Sequence, residues 1–256
     1  MTFRLLEKRP SKRTKIVATV GPASQGRDVL REMILAGLDV VRLNLSHGDY
    51  ESHAAIIKNV RELSEELDVP LAILGDLRGP RIRVGEIEDG TINLALGQTL
   101  VLTPETVTGN TQRVSVSFSG LAGDLKVGDL LLVDDGDVKL EVEKLEASGD
   151  IYTRVLEGGN LSSRRGINLP GIRVSLPSVT EKDERDVGFA VEQGVDFFAL
   201  SFVQCADDVR SLKKILTRLD ADVPIIAKIE KKCGLDDIDA IIEEAYGVMV
   251  ARGDLA

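Results

Sequence analysis

Tryptophan is missing from all 256 residues, and cysteine and histidine appear only twice each. Cys205 and Cys233 stand far apart, and neither has a Cys or His companion at metal-ligand spacing, so reduced thiols in a cytosolic protein fit them. No apolar run approaches the ~18 residues that a membrane span needs. The opening MTFRLLEKRPSKRTK is basic but has no apolar core, so it does not read as a secretory signal. Positive charge is also short, at 32 Lys and Arg against 42 Asp and Glu, a formal net charge of −10. That balance argues against broad nucleic-acid or anionic-membrane binding, which calls for a basic surface, but it leaves room for a small basic pocket around a phosphorylated metabolite. The cytoplasm is the expected location.

The composition is that of a globular domain, 43% hydrophobic and 29% charged, long enough to bury one large core or two smaller ones. The segments KIVATVGP (15–22), VVRLNLSH (40–47) and LAILGDL (71–77) read as buried strands. Between them lie helical patterns, one from Asp28 to Gly37 and one carrying Ile56, Val60, Leu63 and Leu67 on one face. Strand and helix alternate without hairpin signals, which predicts a parallel sheet covered by helices. The pattern changes near Gly85. From 86 to about 170, period-2 runs such as Val138-Leu140-Val142 are separated by turn signals such as Asp135-Gly136 and Gly158-Gly159, predicting a small inserted antiparallel β domain. After Leu169-Pro170-Gly171 the α/β alternation resumes. Thr180 to Asp183 reads as a capping box, followed by strands at 195–203, 224–230 and 247–256 and helices carrying Leu212 and Leu216, then Leu235, Ile238, Ile241 and Ile242. The turn GPASQG lacks the GxGxxG spacing of a doubly wound sheet. The expected fold is therefore an α/β (β/α) TIM-type barrel broken off after its sixth strand, with residues 1–84 and 171–256 in the barrel and 85–170 in the insertion.

Active residues of such barrels sit at the C-terminal ends of strands. Those ends hold Arg42, Asn44 and Ser46, then Asp76, Arg78 and Arg83, then Lys228 and Glu230, then Arg252 and Asp254. Taken singly, each also reads as a surface turn or a salt bridge. Lys228 and Glu230, however, are i and i+2 at the end of an apolar strand and so share a face. A Lys and a Glu entering one cavity suggest a metal carboxylate beside a cation, with Asp254 as the second carboxylate that magnesium often uses.

The segments KIVATVGPAS, VVRLNLSHG, GDLRGPRIRVG, VDDG, GINLPG, AKIEKKCG and GVMVARGDLA resemble the successive motifs of the pyruvate kinase family, in order. The insertion after the third strand resembles that family's lid domain, and the likeness runs from Lys15 to Ala256. The resemblance implies Mg2+-dependent (or Mn2+-dependent) phosphoryl transfer between phosphoenolpyruvate and ADP, giving pyruvate and ATP in glycolysis. It implies Lys228 as the catalytic cation and Glu230 and Asp254 as magnesium ligands. The amides around Ala251, Arg252, Gly253 and Asp254 would face the substrate carboxylate. Arg42 and Arg83 would grip phosphates, with Asn44 and His47 beside the nucleotide. Asn44, Ser46, Asp76 and the Leu77 carbonyl match the family's monovalent-cation ligands. His47 and His53 read equally well as helix-start and surface residues.

The chain departs from the family pattern in places. A Lys that many members carry after the fourth strand is replaced by Cys205. Where potassium-dependent members have Thr and Glu, this chain has Leu77 and Arg81, and Arg81 is a permanent cation. K+ is therefore expected to be dispensable. The family's seventh and eighth strands are not found, which implies that this chain by itself is inactive, although the full-length enzyme is expected to be a homo-oligomer. Two rival readings are a non-catalytic fragment of such an enzyme and another metal-dependent oxo-acid barrel enzyme, an aldolase or lyase.

Overall fold

A computed structural model describes residues 12–251. The chain begins β1 (Val17–Thr19), α1 (Arg27–Ala36), β2 (Val40–Asn44), α2 (Tyr50–Leu67) and β3 (Ala72–Asp76). It continues through β4 (Thr91–Leu94), β5 (Thr99–Thr103), β6 (Arg113–Ser115), the short α3 (Leu121–Asp124), β7 (Leu130–Val133), β8 (Val138–Leu145), β9 (Ile151–Glu157), β10 (Gly159–Ser162) and β11 (Ile167–Asn168). It closes with α4 (Glu181–Glu192), β12 (Phe197–Leu200), α5 (Ala206–Arg218), β13 (Ile225–Ile229), α6 (Lys232–Asp236), α7 (Ile238–Glu244) and β14 (Gly247–Val250).

Six strands form one sheet in the order β1-β2-β3-β12-β13-β14, and every neighbouring pair is parallel. The long intervening segment between β3 and β12 is thus an excursion, because its strands pair among themselves in the orders β11-β7-β8-β9-β5-β6 and β10-β4. The excursion is antiparallel except between β5 and β6, which run parallel. Each part has its own apolar core. Ile34, Leu43, Leu63, Ile73, Phe198, Leu212 and Ala227 pack between the parallel sheet and its helices. Leu100, Leu131, Leu140, Ile151 and Leu161 pack inside the β excursion. A fully buried aliphatic side chain contributes about 1.5–3 kcal/mol, so each cluster can support its own unit.

The strands are shorter than the apolar runs that encode them, since the residues beyond each C-terminal end turn away as loops. The final α segment differs more. A single helix carrying Leu235 to Ile242 is expected, but the chain breaks at Asp237 into α6 and α7. Gly234, inside α6, approaches the Val203 carbonyl so closely that a Cβ there would stand 2.6 Å from that oxygen. Leu235 and Ile242 are exposed, and only Ile241 of the set is buried. The expected capping box is present, with Thr180 and Asp183 exchanging hydrogen bonds across the first turn of α4.

Candidate active site

The alternation in β2 buries Val41 and Leu43 on the helix side and turns Arg42 and Asn44 to the opposite face. Lys228 in β13 and Glu230, the residue just past its end, are two apart along the chain and so come together, 8% and 3% exposed. A lysine and a glutamate so deeply buried need partners, because an uncompensated interior charge costs several kcal/mol. They have them. The Lys228 ammonium donates to Ser201 Oγ at 2.8 Å, lies 2.9 Å from Glu230 Oε1 and 3.4 Å from Asp76 Oδ1. Asp76, 2% exposed at the end of β3, accepts on Oδ2 from Arg42 Nε at 2.7 Å and from Arg42 Nη2. Arg42 Nη1 reaches Thr19 Oγ1 at 2.6 Å. Glu230 Oε2 accepts from the Phe202 amide at 2.6 Å. The result is a row of alternating charge, Arg42, Asp76, Lys228, Glu230, drawn from the ends of three parallel strands.

This row floors a cavity of about 370 Å3 that brings together Arg42, Asn44, Ser46, His47, Asp76, Leu77, Arg83, Lys228 and Glu230, nearly all of the residues that the sequence nominates. Arg78 and Arg81 complete its rim. Burial, followed by repulsion from Arg78 and Arg81, pushes the Arg83 guanidinium below its ordinary range. Cations crowded in this way favour a polyanionic ligand. An adjoining cavity of about 120 Å3 adds Arg165 and Lys231, and burial lowers the Lys231 ammonium below the usual lysine range. Sequence reasoning missed Ser201, Phe202, Lys231 and Arg165. Only Arg165, half of a basic pair directly before GINLPG, carried a readable signal.

Three expectations need correction or lie elsewhere. The Ala251 amide donates to the Ile229 carbonyl at 3.3 Å, extending the strand ladder, and Ala251 is not among the residues lining the cavity. Arg252, Gly253 and Asp254 lie outside the described residues. His53 is not a surface residue: it is 7% exposed in α2, with Nε2 2.8 Å from the His47 carbonyl. His47 itself is exposed on the cavity rim.

For a divalent ion the described residues offer hard oxygen. Glu230 faces the cavity, and Asp76 Oδ1, which accepts no hydrogen bond, is a second buried carboxylate oxygen there, 3.4 Å from the Lys228 ammonium. That chemistry fits Mg2+ or Mn2+. No cluster of three or more His, Cys, Asp or Glu that could hold a metal occurs among the described residues, so Glu230 would need ligands from elsewhere. The expected monovalent-cation oxygens are also gathered here. Three of the four are already engaged: Asn44 Oδ1 accepts from the Ser46 amide at 3.1 Å, the Leu77 carbonyl accepts from Ser201 Oγ at 2.7 Å, and Asp76 stands between Arg42 and Lys228.

A larger cavity of about 800 Å3 lies between the 173–179 segment and α5, beside Cys205. Most of its charged groups are exposed, and Arg218 pairs with Glu184 at 3.3 Å across its surface. Buried, mutually compensated charge is the stronger sign of chemistry, and it belongs to the smaller cavity.

Comparison with known proteins agrees. A family model described as the pyruvate kinase barrel domain matches residues 11–256. Pyruvate kinases of Bacillus licheniformis and Geobacillus stearothermophilus are each 46% identical over 246 residues, covering 95% of this chain and 42% of the relative. A crystal structure of a pyruvate kinase from Cryptosporidium parvum superposes with a TM-score of 0.90 at 37% identity, over 94% of this chain and 51% of that one. The chain thus spans less than half the length of the curated relatives it matches.

Proposed function

Because the chain belongs to the pyruvate kinase family, we propose that it carries the phosphoryl-transfer site of a pyruvate kinase, moving the phosphoryl group of phosphoenolpyruvate to ADP. The parallel sheet then represents the first six strands of a (β/α) barrel, formed by residues 1–84 and 171–256, with 85–170 as the lid. The observation that carries the reading is the Lys228 ammonium, buried between Glu230 and Asp76 and facing a cavity rimmed by arginines. A preorganised cation in a water-poor site stabilises negative charge as it develops on the transferring phosphoryl group and on the enolate oxygen it leaves. Arg42 and Arg83 are placed to grip phosphate oxygens, and Arg165 and Lys231 to extend that grip toward the nucleotide. Asn44 and His47, which line the same cavity, would lie beside the nucleotide. Glu230, with Asp254, would hold Mg2+ or Mn2+, which neutralises phosphate charge and orients the reacting groups when bound.

Phosphoenolpyruvate and ADP or ATP are the partners on this reading, with no nucleic acid and no membrane, and the full-length enzyme works as a homo-oligomer in the cytoplasm. No described helix is long and apolar enough to cross a membrane.

The test is pyruvate release from phosphoenolpyruvate and ADP by the full-length enzyme. Lys228→Met should lower turnover by about 10²–10³-fold or more while metal and substrate affinity change much less. A loss confined to KM would reduce Lys228 to a binding residue. The double variant Glu230→Gln, Asp254→Asn should weaken Mn2+ binding measured by spin resonance, and unchanged affinity would remove both residues from the metal site. An aldolase or lyase would not need the ring of arginines.

A further inference from the structure

Phe202 is among the few non-glycine residues with positive φ, at 57°. A bulky aromatic residue in the left-handed region is disfavoured by its own Cβ, so the surrounding structure must hold it there. Three contacts do so. The Phe202 amide donates to Glu230 Oε2 at 2.6 Å. Its ring lies beneath the Arg81 guanidinium at 5.6 Å and the Lys231 ammonium at 5.7 Å. Gly79 packs against the same dipeptide, where a Cβ would stand 3.0 Å from the Ser201 carbonyl and 3.3 Å from the ring. The ring therefore ties together the loops that follow β3, β12 and β13. The left-handed turn is what aims the amide at the carboxylate.

We propose that Phe202 is a positioning residue: its strained main chain, braced by the Arg81 and Lys231 cations over its ring, fixes the Glu230 carboxylate for metal binding. The inference rests on the reading of Glu230 as a metal ligand. With Oε2 held by the amide, Oε1 is the oxygen left facing Lys228 and the cavity. Groups that orient a ligand in this way typically affect metal affinity strongly, although they never touch the ion. The aromatic face matters beyond bulk, because a cation is attracted to the ring quadrupole and not to an aliphatic side chain.

Phe202→Leu and Phe202→Tyr separate these contributions, read by Mn2+ binding to the purified protein and by the amide proton resonance of residue 202. Phe202→Leu should bind Mn2+ about tenfold more weakly, whereas Phe202→Tyr, which keeps the aromatic face, should bind like the parent. The residue 202 amide proton should lie far downfield in the parent and move upfield in Glu230→Gln. A folded Phe202→Leu that binds Mn2+ like the parent, while Glu230→Gln binds weakly, overturns the positioning role and leaves the metal reading standing. An amide signal indifferent to Glu230→Gln overturns it as well, and decides the matter if Phe202→Leu fails to fold. Undiminished Mn2+ binding in Glu230→Gln removes the metal reading and the positioning role with it.

Discussion

Asp76 holds one negative charge between two cations, Arg42 on Oδ2 and Lys228 near Oδ1. A monovalent ion gathered by Asn44, Ser46, Asp76 and the Leu77 carbonyl would enter a place where the carboxylate is already compensated on both sides. Arg81, on the rim of the same cavity and over the Phe202 ring, adds a further positive charge to it. The full-length enzyme should therefore run at nearly the same rate in potassium and in tetramethylammonium. Arg81→Glu should create a potassium requirement, with Leu77→Thr added if the single change does not suffice. Strong potassium activation of the parent enzyme would refute this account. Neighbouring residues also show what the sequence could and could not reveal. Lys228 and Glu230 were readable because two charged residues at i and i+2 interrupt an apolar strand. Phe202 was not, because nothing in a sequence marks a phenylalanine with positive φ. The engagement of the Ala251 amide in the strand ladder was equally invisible, since it depends on how far β14 pairs with β13.

Helix α4 links its capping geometry to the site. Asp183, fully buried, accepts from the Thr180 amide at 2.9 Å while its own amide donates to Thr180 Oγ1 at 3.2 Å, as a capping box requires; its carboxylate also accepts from Thr180 Oγ1 at 2.6 Å and, on its other oxygen, from the Gly79 amide at 3.2 Å. Gly79 belongs to the loop that carries Arg78, Arg81 and Arg83. One turn on, Asp186 is also fully buried and takes Tyr50 Oη at 2.8 Å and Lys182 Nζ at 2.6 Å, and Lys182 reaches back to the Leu45 carbonyl at 2.8 Å. The start of α4 thus clamps the loops after β2 and β3. Asp183→Asn keeps the shape but weakens charge-assisted hydrogen bonds, so it should cost about 1–3 kcal/mol in a denaturant melt. Thr180→Ala, which removes the hydroxyl's two hydrogen bonds with Asp183 but leaves the Gly79 link, should cost about 1 kcal/mol. A loss of equal size in the two variants would mean that the Gly79 link contributes nothing. The cap was legible because four consecutive residues encode it. The Gly79 link was not, because it joins residues far apart in sequence. The same contrast appears in the last helices: α5 follows its periodicity, whereas the break at Asp237 between α6 and α7 leaves no mark in the apolar pattern.

Two apolar cores that share no residue imply two cooperative units within the described residues. They should not be equally stable. The β excursion is wrapped by its own pairings, whereas the parallel sheet ends in β1 and β14, where Ile16, Val17, Tyr246, Val248 and Val250 are 47%, 48%, 72%, 40% and 61% exposed. Open edges with exposed apolar side chains weaken a sheet and invite association with other chains. Calorimetry of this 256-residue chain should therefore resolve two transitions, with the parallel unit melting first. Single core substitutions assign them. Leu140 and Ile73 are both fully buried, one in each cluster, and truncating such a side chain to alanine typically costs about 2–5 kcal/mol. Leu140→Ala should lower only the later transition, and Ile73→Ala only the earlier one. If both variants shift one common transition equally, the cores are coupled as a single unit and the β excursion does not fold independently. If Leu140→Ala instead lowers the earlier transition, the order of stability is reversed and the exposed edges are not what limits the sheet.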